Sequence, residues 1–296
     1  MSDDARRAYG ARMGVVLTHI DAHLGEEVTV DALALVARSS KFHFARQFTA
    51  LYGVPPRRYV QLRRLQRAGE ALAFRPWLSV LEIATTCGYE GPEAFARAFK
   101  QLTGQSPSAF RRGPDWRAWH DLHRPTAEIW STHMTTLPTP ADVEIVTTPP
   151  RTLAVLEHRG DPATLGASLQ RFIAWRRPRG LSPARAATFN LWYEDPDQVA
   201  PEAFRLDLGV EVTGPVEANP EGLVARELAG GRCARLRHVG SDHGLRAAAT
   251  FLYCTWLPAS GCELRDAPLF VHRVSFGPDV AQDEEVCDLY LPLAPG

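Results

Sequence analysis

No run of apolar residues in this 296-residue chain approaches the roughly 18 that a membrane-spanning helix requires, and no such helix is expected. The opening MSDDARRAYG has no apolar core segment, and a secretory signal is not expected. Cysteine is sparse and odd in number. Cys87, Cys233, Cys254, Cys262 and Cys287 share no CxxC spacing, which speaks against a disulfide framework or a zinc site and for reduced thiols in a cytoplasm. There is no G-x-S-x-G, no phosphate loop and no Ser-His-Asp order, so the common nucleophile and nucleotide sites are missing. His120, His123 and His133 lie close together, but the HxxH run lacks a second, carboxylate-bearing half, and neither a metal nor a cofactor is expected. Lysine is nearly missing: Lys41 and Lys100 are the only two.

The apolar fraction of 45% and the charged fraction of 23% are those of a soluble globular protein, and the length suffices for two domains. The net charge of −1 hides an asymmetry. Residues 1–120 carry 17 Lys+Arg against 11 Asp+Glu, a net of +6, while residues 121–296 carry 16 against 23, a net of −7. Only the first part is expected to meet a polyanion.

That basic part contains a repeat. SSKFHFARQF, starting at Ser39, returns 51 residues later as PEAFARAFKQ, so that Phe44, Arg46, Phe48 and Gly53 map onto Phe95, Arg97, Phe99 and Gly104. Each lysine lies in one copy. Apolar spacing of three and four residues predicts helices throughout residues 8–112. Thr29 and Ser79 are placed as N-caps, Gly53 and Gly104 as left-handed stops, and Pro55-Pro56 as the start of a longer helix. Helix, tight turn and helix, twice over, is the helix-turn-helix unit. With the Phe pairs inward, Lys41, Phe42, Ala45, Arg46 and Gln47 face outward in the first copy, and Glu93, Ala94, Arg97 and Lys100 in the second. Small alanines let a helix sit deep in a major groove, an arginine can bond guanine O6 and N7, and lysines can meet phosphates.

The run SSKFHFARQF…YGVPPRRY…RLQRA…IATTCGYEGPEAFARAFKQLTGQSPSAFR resembles the AraC-type DNA-binding domain, and its SK-aromatic-H element resembles the MarA/SoxS/Rob branch. The resemblance implies that Phe42 and Arg46 of one helix, and Glu93, Ala94 and Arg97 of the other, approach bases. It also implies that the helix from Pro55 to Ala73 holds the two readers roughly 34 Å apart, one turn of duplex. Double-stranded promoter DNA is the expected partner, with RNA polymerase as a further one.

Residues 113–140 read as a linker, anchored by Trp116, Trp119 or Trp130. Residues 141–296 carry a second duplication at an interval of 80: LAVLEHRG from Leu153 matches CARLRHVG from Cys233, and Leu206-Asp207-Leu208 matches Cys287-Asp288-Leu289 with one residue of slippage. Each half reads strand, helix, strand, strand, so the chain is expected to be an all-α double helix-turn-helix domain followed by an α+β domain of two pseudo-symmetric modules. Ligand sites often form where two such modules meet. Trp175, Trp192, Tyr193, Trp256, Asp288 and Tyr290 are the expected lining, aromatics around a carboxylate that suit an amphipathic or cationic molecule. His158 and His238 recur symmetrically and read as structural. The tandem halves, LWYEDP and DLYLPL resemble the GyrI-like small-molecule-binding domain, and that resemblance implies that Asp288 faces a ligand pocket.

The expected function is a cytoplasmic, DNA-binding transcription regulator that senses a small hydrophobic or cationic effector and is not an enzyme. The alternatives are a GyrI-like hydrolase, with Glu157 or Glu194 as the partner of Asp288, or a C-terminal module that binds another protein.

Overall fold

The computed structural model describes residues 3–133, 138–276, 280 and 284–295. The chain divides into two units, Met1–Met134 and Thr135–Gly296. No helix among the described residues is long and apolar enough to cross a membrane.

The first unit is helical: α1 (Asp3–Ala22), α2 (Val30–Val36), α3 (Lys41–Tyr52), α4 (Pro56–Phe74), α5 (Val80–Thr86), α6 (Pro92–Thr103), α7 (Pro107–Arg112) and α8 (Trp116–His133). The expected caps are in place. Thr29 accepts from the Ala32 amide, Ser79 forms a capping box with Glu82, and Gly53 and Gly104 close α3 and α6 in the left-handed conformation. Each copy of the repeat has its own core. Phe44, Phe48 and Tyr59 are fully buried in the first, Phe95, Phe99 and Phe110 in the second, and each such ring contributes about 1.5–3 kcal/mol. Helix α4 serves both, giving Tyr59 and Val60 to one core and Leu65, Ala68 and Leu72 to the other.

Arginines on α4 tie it to the rest of the unit. Arg63 is buried and grips Asp21 of α1 with two hydrogen bonds of 2.8 and 3.1 Å. Arg64 donates to the Leu24 carbonyl at 2.9 Å. The segment expected as a linker contains α8, which packs on this unit. A Cβ on Gly69 would lie 2.0 Å from the Trp119 ring, so the glycine is what admits the indole. Trp116 stacks on Phe74 at 5.6 Å, and Trp119 meets Phe110 at 4.8 Å. The expected anchoring by these two tryptophans is therefore present, while the side chains of Trp130 and His133 lie outside the described residues. Helix α8 escaped sequence reading because Pro125 sits inside it and Trp, His and Thr blur its period.

The second unit is an eight-stranded antiparallel sheet with helices on one face. Its strands are β1 (Val143–Thr148), β2 (Arg151–Arg159), β3 (Thr188–Trp192), β4 (Arg205–Glu211), β5 (Val224–Leu228), β6 (Gly231–Val239), β7 (Leu269–Ser275) and β8 (Val286–Pro292). Helix α9 (Leu165–Arg176) belongs to the first module. Helices α10 (Leu245–Phe251) and α11 (Leu257–Ser260), joined by a π turn at Leu252–Trp256, belong to the second.

The strand order β1-β6-β8-β7-β3-β4-β2-β5 is a palindrome of the two modules, with β7 and β3 paired at its centre. The entry strands are exchanged. β1 precedes β2 but pairs with β6, and β5 precedes β6 but pairs with β2. The two crossing connectors touch: a Cβ on Gly230 would lie 2.6 Å from both the Pro150 nitrogen and the Thr148 oxygen. The repeat keeps its hinges as well, since Gly160 and Gly240 both hold positive φ, at 108° and 129°.

Candidate functional site

In the first unit the exposed face of α3 begins where Ser40 caps it. Phe44 and Phe48 are fully buried, which turns Lys41, Phe42, Arg46 and Gln47 to solvent and leaves Ala45 half-buried. Phe42 is 80% exposed, a cost in hydration that the fold itself does not require. Lys41, Phe42, Ala45, Arg46 and Arg57 line one surface concavity. Lys41 is drawn to Asp31 by an exposed ion pair of 2.7 Å. On α6 the buried Phe95 and Phe99 turn Glu93, Arg97 and Lys100 outward, with Ala94 half-buried beside them. The nine residues expected to meet DNA thus form two matched faces, each with one arginine near the middle of a twelve-residue helix.

In the second unit the face opposite the helices is framed by an apolar belt of Leu153, Val155, Phe189, Leu191 and Phe270. Two stacked pairs cross it: Phe270 on Tyr290 at 4.8 Å and Phe189 on His272 at 4.9 Å. Pairing sets Arg237, Asp288, His272 and Phe189 side by side on adjacent strands, and a second row runs Tyr290, Phe270, Leu191, Asp207 and Glu157. Asp288 is buried and receives two hydrogen bonds from Arg237, at 2.7 and 2.8 Å. Asp207, its mate in the repeat, is fully buried and accepts from the Tyr193 hydroxyl at 2.9 Å and from Arg205 at 2.9 and 3.2 Å. Glu157 is bonded by Arg226 and by Arg205. Burial, with Asp207 adding to it, pushes the Tyr193 hydroxyl above its usual range, and burial holds His272 below the usual imidazole range against the pull of Asp288.

Residues 141–294 match the model of the GyrI-like small molecule binding domain, and residues 33–113 match a helix-turn-helix domain model. The chain belongs to the GyrI-like family. Its first unit is an AraC-type helix-turn-helix domain. "Probable transcriptional regulator YgiV" of Escherichia coli (strain K12) is 39% identical over 154 residues, which are 52% of this chain and 96% of that protein. "Right origin-binding protein" of the same organism is 33% identical over 106 residues, 35% of this chain and 36% of that protein. Among solved structures, the DNA-binding domain of the global transcriptional factor AdpA, in complex with a target DNA, is 32% identical, covers 34% of this chain and 94% of its own, and has a TM-score of 0.32.

The GyrI-like sheet divides the six expected effector residues. Tyr193, Asp288 and Tyr290 share the helix-free side. Trp175 and Trp256 are buried in the cores under α9 and under α10, and Trp192 packs on the latter core. Strand alternation is the reason: Trp192 and Tyr193 are consecutive and point to opposite faces. Asp288 is buried, as expected, and it is paired with Arg237, a partner that the sequence did not suggest. Sequence reading gave Asp207 no part in the site and passed over Arg205, Arg226 and Arg237. The signal available was the repeat itself, which aligns Asp207 with Asp288. His158 and His238 are buried, one bonded to Ser168 of α9 and the other to the Ser241 carbonyl, which is the work of tying strand to helix and turn. Of the two clustered histidines that are described, His123 is buried against the Trp119 carbonyl and His120 meets only Asp121.

Proposed function

We propose that this protein is a transcription regulator that reads two adjacent major-groove segments of promoter DNA with α3 and α6, and that its GyrI-like unit binds a small hydrophobic effector on the helix-free face of the sheet. The observation that carries the first half is the matched pair of solvent-facing helices, each with its phenylalanines buried and an exposed arginine, Arg46 or Arg97, free of ion pairs among the described residues. A side chain that the fold leaves exposed on a groove-sized helix, next to alanines, is available for a guanine edge. The name of a relative supports the regulator reading, since YgiV is named "Probable transcriptional regulator". Contact with RNA polymerase belongs to the same reading.

The effector half is supported by the apolar belt, its two stacked aromatic pairs and the polar groups at its rims. Binding rather than catalysis is the better reading of this face. Asp288 is engaged by Arg237 and Glu157 by Arg226 and Arg205, so neither stands as an unoccupied acid or base beside the other. For an effector to regulate, it must bind the DNA-competent and incompetent states with different affinity.

Selection of bound fragments from random DNA supplies a site, and gel-shift titration on that site tests the reading. Arg46→Ala and Arg97→Ala are each expected to lose about 1–3 kcal/mol of binding free energy and to relax preference at one position. Wild-type affinity in both variants would sink the groove assignment.

A further inference from the structure

One stretch of the second unit breaks its charge pattern. Residues 171–185, RFIAWRRPRGLSPAR, hold Arg171, Arg176, Arg177, Arg179 and Arg185 and no acidic residue. Residues 135–296 contain 15 arginines and 21 Asp+Glu, so outside this stretch 10 arginines stand against 21 acids. An acidic unit therefore carries one basic island, formed by the end of α9 and the loop that leaves it.

The duplication supplies an internal control. The equivalent segment of the second module, 251–265, holds one arginine and one acid, Arg265 and Glu263, and it too has a left-handed glycine where the chain leaves the helix, Gly261 at the end of α11 as against Gly180 in the turn after α9. Closing the helix back onto the sheet does not call for five arginines. The inner member, Arg176, is structural at its base: it donates to the Leu181 carbonyl at 2.6 Å and to the Thr188 hydroxyl at 3.1 Å. No carboxylate is among its bonded partners, and its Nη2 is buried without one. Arg179 is laid over the Trp175 ring at 4.3 Å and donates to the Trp175 carbonyl at 2.7 Å, which fixes its guanidinium at the surface. Arg171, Arg177, Arg179 and Arg185 are exposed. Between them the exposed residues are Ala174, Pro178, Gly180, Ser182, Pro183 and Ala184. That composition lacks the aromatic and aliphatic anchors of a protein interface and suits a sugar-phosphate chain, to which guanidinium binds by charge and paired hydrogen bonds.

We propose that this arginine island is a second, sequence-independent contact to duplex DNA, which takes phosphates flanking the site read by α3 and α6. The proposal rests on the regulator reading above, because the helices of the first unit bring duplex to a high effective concentration near the rest of the chain. It revises the expectation that only the first unit meets a polyanion.

The test uses the full chain in anisotropy titrations with two duplexes, one trimmed to the selected site and one extended by about 20 base pairs on each side. The variant R171Q/R177Q/R179Q/R185Q is expected to lose about tenfold in affinity on the long duplex, and the slope of log K against log salt is expected to shrink by about 3.6, as four lost phosphate contacts require. Affinity on the short duplex stays at the wild-type value. The all-lysine variant at the same four positions restores the long-duplex slope, which separates charge from folding. A glutamine variant indistinguishable from wild type on both duplexes overturns the proposal. So does one that keeps full DNA affinity and slope but loses promoter activation in a purified transcription assay, which would assign the island to a protein partner. Arg46→Ala and Arg97→Ala are read on the short duplex alone, so failure of the groove reading and failure of the island register separately.

Discussion

The chain contains two duplications, and they have been used in opposite ways. In the helical unit the copies kept their working faces alike: Arg46 and Arg97 occupy the same place, over the same pair of buried phenylalanines, and both helices end on the same left-handed glycine. In the sheet unit the copies kept their core and diverged at the face. Asp207 and Asp288 are both buried, yet one sits among Tyr193, Arg205 and Arg226 while the other has Arg237. Position 157 is glutamate in one module and its counterpart 237 is arginine in the other. If the two helices read DNA as proposed, sameness suits them because duplex repeats every turn. On the proposed function, the effector of the sheet unit has no such symmetry, and a face that has lost its own symmetry suits binding in one orientation.

The largest effect expected from this contrast is at the two aspartates. Asp207→Asn removes a fully buried charge from between guanidiniums that are themselves largely covered, and is expected to cost about 3–5 kcal/mol of stability. Asp288→Asn is expected to cost about 1 kcal/mol, because Arg237 is 55% exposed and can turn to water. Urea unfolding of the two variants measures the difference. Equal losses would mean that the modules have not diverged as described.

The next effect concerns what lies behind the two readers. Helix α8 closes the second core through Trp119 and reaches the first through Ile129, and His123 is buried on it. Burial pushes this imidazole down to about 4, from a reference of 6.5. The unfolded chain takes up a proton below about pH 6.5, and the folded unit resists it until about pH 4. Stability is therefore complete above the first value and is lost as pH falls toward the second, by about 3 kcal/mol over the window. The melting temperature of the wild type should fall more steeply between these pH values than that of His123→Phe. Parallel curves would show that the folded histidine already carries its proton.

How far the sequence could be read follows from the same contrast. Helix caps, stops and buried phenylalanine stripes are local signals, and the helical faces were legible down to Arg46 and Arg97. The exchange of β1 and β5 was not, because nothing in the local pattern of VEIVTT says that it pairs with the distant β6 rather than with its neighbour β2. On the sheet, alternation placed Tyr193, Asp288 and Tyr290 on one side, but grouping them with Trp175, Trp192 and Trp256 ignored which face the helices cover. The arginines that neutralise Asp207 and Asp288 come from β4, β5 and β6, and such cross-strand partners depend on register, which composition does not reveal.

The smallest effect is the sharpest test of sameness. Gly53 and Gly104 hold φ of 69° and 75°, and a Cβ at either would meet nothing within 4 Å. The cost of alanine at each is then backbone strain alone, about 1–2 kcal/mol for a left-handed residue, less the few tenths returned by a stiffer unfolded chain. With no neighbour to make one position worse than the other, Gly53→Ala and Gly104→Ala should each lower stability by about 1 kcal/mol and by the same amount within error. Their effects on DNA affinity should match as well, since each glycine ends a reading helix without touching its exposed face. A clear inequality in stability would mean that the two cores tolerate strain differently, and that the copies are alike only on the side they turn outward.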